Sequence, residues 1–140
     1  MEVLKMIQLS NTTAQTLTPG QAITFDKTLL HTGCGECHRA NTSSVKMRAM
    51  NGTYEVAFGA NIGAEAANTA VQLAIQIGGD TLPESTMIST TAAVGDLNSV
   101  SRVVPVRNTC GDYSRVTIVN TGTVNVTVGA NSTLFIKRIS

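Results

Sequence analysis

The residues of this sequence best suited to chemistry lie close together. Of its three cysteines and two histidines, Cys34, Cys37, His31 and His38 fall in His31-Thr32-Gly33-Cys34-Gly35-Glu36-Cys37-His38, and Cys110 stands apart. Cys34-Gly35-Glu36-Cys37-His38 has the form of a c-type haem attachment site. Haem attachment also needs export to an oxidising compartment, a second axial ligand and an apolar pocket. The start Met1-Glu2-Val3-Leu4-Lys5 lacks the basic residues and apolar run of a secretory leader, and the strand pattern below is unlike a helical cytochrome, so haem is set aside.

The two-residue spacing of Cys34 and Cys37 also lets both thiolates reach one tetrahedral zinc ion, with His31, His38 or Cys110 completing the set. Zinc-finger-like sites usually carry a second tight pair, and here only Cys110 remains. A small disulfide loop is a third option. A thioredoxin-like pair needs a helix starting after the first cysteine, and this segment lies among Gly and Asn. The favoured reading is a loop with free thiols and no cofactor; structural zinc stays open as the alternative.

Catalysis has less support. Glu36, Glu55, Asp80, Glu84, Asp96 and Asp112 follow no spacing that pairs two carboxylates, and both histidines belong to the cysteine segment. If that segment is a strand, Cys37 and His38 point to opposite faces and do not form a nucleophile–base pair. No catalytic residue is assigned, and the chain is expected not to be an enzyme. Gly78-Gly79-Asp80 and Gly111-Asp112 are acidic, but turn formation explains them better than calcium binding. The Asn-x-Ser/Thr sequences at Asn51, Asn125 and Asn131 follow from abundant Asn and Thr.

The elements that carry these residues read as β throughout. Tyr54, Val56, Phe58, Ala60 and Ile62 are apolar at every second position, with Glu55, Ala57, Gly59 and Asn61 between them. The same alternation recurs at Val71, Leu73, Ile75 and Ile77, and at Val124, Val126 and Val128. Shorter β-branched runs cover Ala22 to Leu30, Ser44 to Met50, Thr86 to Thr91, Ser99 to Arg107, Ser114 to Val119 and Thr133 to Ile139. Pro19-Gly20, Asn51-Gly52, Gly78-Gly79-Asp80, Gly111-Asp112 and Asn120-Thr121-Gly122 supply turns. Gly63 to Thr69, the one helix candidate, reads better as a loop. The pattern predicts an all-β antiparallel jelly-roll sandwich of about eight to ten strands. The 140 residues are expected to form one domain, with 1–18 serving as its first strand or as an arm that joins a neighbouring sheet.

Composition narrows the partners. The 42% apolar residues suffice for a core, and charged residues make up only 14%. A net charge of +1 with scattered Lys and Arg argues against nucleic acid, and no apolar run is long enough to cross a membrane. Sparse surface charge leaves the chain free to associate with itself.

Two segments, Gly52-Thr53-Tyr54-Glu55-Val56-Ala57-Phe58 and Ser132-Thr133-Leu134-Phe135-Ile136-Lys137-Arg138-Ile139, resemble strands of the tumour-necrosis-factor-type jelly roll, which includes complement heads and the heads of spore-surface collagen-like proteins. Val71 to Ile77 with Gly78-Gly79 resembles the following strand and turn, and Val116-Thr117-Ile118-Val119-Asn120 with Val124 to Val128 resembles the late hairpin. The likeness covers most of the chain from Gly20 onward and implies a homotrimer. The stretch His31 to Arg39 and the ending Phe135-Ile136-Lys137-Arg138 also resemble small proteins encoded beside structural genes in clostridial phages and prophages. That resemblance implies a non-enzymatic virion protein, a capsid decoration or head-fibre trimer. It would be made in the host cytoplasm and would dock on the major capsid protein or another virion protein. The alternative is a host-surface-binding adhesin or fibre tip, disfavoured by the absence of Trp and by only two tyrosines, Tyr54 and Tyr113. A metal or redox role for the cysteine segment is the further alternative.

Overall fold

A computed structural model describes residues 6–32, 36–38, 43–47, 52–107 and 114–139. Among them, strands follow one another as β1 (Met6–Ser10), β2 (Gln15–Leu17), β3 (Lys27–Thr32), β4 (Glu36–His38), β5 (Val45–Met47), β6 (Thr53–Ala64), β7 (Thr69–Ile77), β8 (Asp80–Thr81), β9 (Met87–Thr91), β10 (Asn98–Arg107), β11 (Ser114–Asn120), β12 (Val126–Val128) and β13 (Thr133–Arg138). The helical element among the described residues is a single 3-10 turn at Pro83–Ser85. No helix there is long and apolar enough to cross a membrane.

The strands form two antiparallel sheets. In the seven-stranded sheet, β6 is the centre. β10 pairs one edge of β6, while β13 and β12 share the other and lead outward to β1 with β3 and to β2. The six-stranded sheet runs β4-β5-β11-β7, with β8 and β9 both on the far edge of β7. This is the jelly-roll sandwich that the alternation predicts.

Period decides which side chains meet. Tyr54, Val56, Phe58 and Ile62 of β6 point inward beside Ile7, Leu9, Leu134 and Ile136, and meet Val71, Leu73, Ile75, Val116 and Ile118 of the other sheet. Each large apolar side chain removed from water in this way contributes about 1.5–3 kcal/mol. Phe25 and Ile23, from the connection before β3, close one side of the core.

The strand boundaries depart from the sequence pattern where tertiary pairing intervenes. β6 runs on to Ala64, because β12 gives Ile62, Gly63 and Ala64 partners. The run Ala22 to Leu30 is divided. Ile23 donates its N–H to Ile118 O in the smaller sheet at 2.9 Å, and the chain then crosses to the larger sheet, where Lys27 opens β3. The expected strand from Val124 begins only at Val126, because the Val124 carbonyl accepts from the Asn120 side chain. Ser44 to Met50 contributes the strand Val45–Met47, and 48–50 lie outside the described residues. Among the described residues thirteen strands stand where about eight to ten were expected, the excess being pieces of two or three residues such as β2, β4 and β8, too short to show a period.

Candidate interaction face

The outward side chains of the larger sheet form a grid that register makes explicit. One row crosses five strands as Leu30, Gln8, Phe135, Ala57 and Val103. The row on one side is Ser10, Thr133, Gly59 and Ser101, and the row on the other is Met6, Lys137, Glu55 and Pro105. The middle row is apolar apart from Gln8, although it faces away from the core. Val103 is 61% exposed and Leu30 37% exposed, while Phe135 and Ala57 are half-buried.

Small residues shape this face. At Gly59 an added Cβ would come no nearer than 3.8 Å to Thr133 Oγ1, so the position is open rather than crowded. Gly59, Asn61, Ser99, Ser101, Asn131 and Thr133 line a shallow groove of about 300 Å³ there. Ser99 Oγ donates to Asn61 Oδ1 at 3.0 Å, and Ala60 and Val100 complete the groove wall beside these hydroxyls and amides. The one cross-strand charge pair in the grid sets Lys137 opposite Glu55, so the face has little net field.

The outward face of the smaller sheet carries one strongly exposed apolar residue, Ile88 at 63%, opposite Gln72, among polar side chains that bond one another. Gln72 Nε2 donates to Thr121 Oγ1 at 2.9 Å, and Gln76 Nε2 donates to Thr81 Oγ1 at 3.0 Å. The larger sheet's apolar row gains free energy when it is covered.

The cysteine segment is described only in part. Cys34 and Cys110 lie outside the described residues, as do the side chains of His31, Cys37 and His38. Backbone register sets His31 of β3 opposite Ile7, Cys37 of β4 opposite Lys46 and His38 opposite Val45. Among the described residues no three His, Cys, Asp or Glu side chains come together as metal ligands. Gly78-Gly79-Asp80 is the turn between β7 and β8, with Gly78 at φ +61° and Gly79 at φ +91°, a geometry that turn chemistry alone explains. Gly111-Asp112 lies outside the described residues.

One acid is electrostatically set apart. Asp26 accepts from the Thr12 hydroxyl at Oδ2 and from the Thr12 backbone N–H at Oδ1 (2.9 Å). These bonds favour the carboxylate and hold Asp26 below its ordinary value of 3.8. Their local effect is to tie the loop after β1 to the start of β3.

The sequence pattern alone did not single out Val103, Ala57, Gly59 or Phe135. The signal was present in the solvent half of Tyr54 to Ile62, where Ala57 and Gly59 stand at positions that a hydrated sheet face usually gives to charged or longer polar residues.

The sandwich has a tumour-necrosis-factor/complement-1q-like jelly-roll fold, as its likeness to solved structures shows. Among solved structures, the chain is similar to the Eiger TNF of S. frugiperda at TM-score 0.76 and 10% identity, covering 99% of this chain and 94% of that one. The globular domain of zebrafish complement 1qA protein matches at TM-score 0.66 and 12% identity, covering 95% and 94% of the two chains. The PRD1 vertex protein P5 matches at TM-score 0.58 and 11% identity over the full length of both chains. At such identities the likeness shows the fold. No protein-family model matches the sequence, and no curated protein is detectably similar to it.

Proposed function

We propose that this chain is a non-enzymatic structural protein that assembles as a homotrimer through the outward face of its larger sheet and decorates a virion, docked on the major capsid protein or another shell protein. The observation that carries the reading is the outward apolar row of Leu30, Phe135, Ala57 and Val103, exposed at its two ends and half-buried between, on a sheet face with little net charge. A face of that kind suits burial against another copy. A closed ring of three uses a heterologous contact, in which this face meets a different patch of the next copy. The full-length likeness to a vertex protein supports a place on a virion surface.

The test is mass in solution by light scattering coupled to size exclusion. Three chains are expected for the native protein, and Val103→Glu is expected to give folded single chains, because a charge would be buried unpaired in the contact. A native protein that runs as one chain at micromolar concentration overturns the trimer. Failure to find the chain in purified virions by mass spectrometry overturns the decoration role.

A further inference from the structure

β10 stands at one edge of the larger sheet and, among the described residues, pairs with β6 alone. Two hydrogen bonds on the far side of β6 show which backbone groups of β10 are spare. Thr53 O accepts from Ile139 N and Asn61 O accepts from Gly129 N, both at 2.8 Å, and Ile139 and Gly129 follow β13 and β12. Neighbouring residues of a strand aim their backbone groups at opposite edges, so Tyr54, Val56, Phe58, Ala60 and Ile62 aim theirs at β10. They meet Val106, Val104, Arg102, Val100 and Asn98. The alternate residues Ser99, Ser101 and Val103 therefore turn N–H and C=O away from the sheet, and all three are exposed. Pro105 continues the same alternation, where its missing N–H leaves the β6 ladder intact. Asn98 anchors the start of this edge, since its Nδ2 donates to Ser89 Oγ at 3.0 Å and to Thr90 O at 3.2 Å in β9.

We infer that this edge pairs antiparallel with the same edge of a second copy, across a twofold axis at Ser101. An exposed edge is a template for another strand, and this one is complementary to itself. With Ser101 facing its own counterpart, Ser99 and Val103 face each other on both sides of the axis. Each of these facing pairs can exchange two backbone bonds.

Side chains beyond the bonded run also match. Leu97 and Pro105 lie four residues before and after Ser101, so the exposed Leu97 comes beside the exposed Pro105 of the partner subunit. Just outside them, the exposed Asp96 approaches the exposed Arg107 of the partner subunit. Among the described residues neither Asp96 nor Arg107 is in an ion pair. Twofold symmetry makes each contact twice. Arg102 faces Val100 of the partner subunit, and the two Arg102 side chains are only diagonal neighbours, exposed to solvent that screens them. Moving the axis one residue, to Arg102, would set those charges directly opposite and put Pro105 where Ser99 needs a donor. The inference goes beyond the homotrimer reading, which uses the face of this sheet and not its edge. Twofold pairing joins two assembled units side by side.

The test is sedimentation of the native chain over a concentration series. Its mass should double as concentration rises, whatever unit the dilute protein forms. A dilute single chain would overturn the trimer and still leave the doubling to be read, while a mass that does not double by about 1 mM overturns the pairing alone. Ser101→Pro removes the N–H at the axis without touching the β6 ladder and should abolish doubling, whereas Ser101→Ala should keep it. Asp96→Lys and Arg107→Glu should each raise the concentration needed for doubling by about tenfold, and D96K/R107E should restore it, because the exchanged charges meet again. Doubling retained by Ser101→Pro, or a double charge variant no better than the single ones, would overturn the inference. If Ser101→Pro does not fold, the charge exchange decides.

Discussion

Asn120 donates its side-chain Nδ2 to the carbonyl of Leu17 at 3.0 Å, joining the end of β11 to the end of β2 across the core boundary. Asn120 is fully buried, and the same amide donates to Val124 O at 2.8 Å while its Oδ1 accepts from Gly122 N at 3.0 Å. One side chain thereby satisfies two carbonyls and one N–H that the turn would otherwise bury without partners. Asn120→Ala is expected to destabilise the fold by about 2–4 kcal/mol, since each orphaned buried group costs about 1–3 kcal/mol and water recovers part of the loss. Urea unfolding of the two proteins measures it; a difference below about 1 kcal/mol would show that the latch is solvated.

Gly63 and Gly59 lie four positions apart on β6 and should respond oppositely to the same substitution. A Cβ at Gly63 would stand 2.2 Å from the backbone oxygen of Asp96 and 3.0 Å from Leu97 Cδ2. Backbone cannot yield cheaply, so Gly63→Ala must push the loop before β10 away, at about 1–3 kcal/mol. At Gly59 the nearest atom is 3.8 Å away, and Gly59→Ala should be neutral or stabilising by up to about 1 kcal/mol, because alanine has less chain entropy to lose. Thermal midpoints of the two variants test the pair, and similar losses in both would contradict the crowding at Gly63.

Much of this fold was legible because β6 and β7 bury one face each, and period two then writes the core directly into Tyr54 to Ile62 and Val71 to Ile77. β2 and β4 were not legible, since three residues hold too little pattern, and they exist because β12 and β5 lie beside them. Asn120-Thr121-Gly122 was readable as a turn. The buried clasp made by Asn120 was not, because an exposed turn asparagine and a buried one are the same letter. The candidate face was half legible: Ala57 and Gly59 are visible in the sequence as missing polarity, but only pairing with β13 and β10 sets Phe135 and Val103 beside them. Chemistry concentrated around Cys34 and Cys37 says little about a function carried by surface shape.

Asp26 gives a pH signature. Thr12 donates to it twice and holds its pKa below 3.8, so the fold binds this proton less readily than the unfolded chain does. The stability that follows is fully present above the unfolded value and is lost as pH falls through the lower folded value. Asp26→Asn lacks the titrating group. The stability difference between native and variant should therefore be constant from neutral pH down to about pH 5 and should shrink below the ordinary 3.8. Urea midpoints at neutral pH and near pH 2.5 read this, and a difference unchanged over that range would show that the carboxylate charge takes no part in the Thr12 contact.

Thr91 at the end of β9 makes the converse case. It is 2% exposed, and its Oγ1 is a buried side-chain polar atom with no hydrogen-bond partner among the described residues. Its backbone is well placed, pairing with Thr69 and accepting from Asn68 N at 2.9 Å, so the strand does not depend on the hydroxyl. Valine has nearly the same shape and replaces the orphaned hydroxyl by a methyl group. Removing an unsatisfied polar atom while keeping volume avoids its desolvation penalty and leaves no cavity. Thr91→Val is therefore expected to raise stability by about 1 kcal/mol, whereas Thr91→Ala, which also opens a void, should not. If Thr91→Val instead unfolds at lower urea than the native chain, the hydroxyl must hold a bound water that bridges it to the sheet, and the loss would measure that bridge.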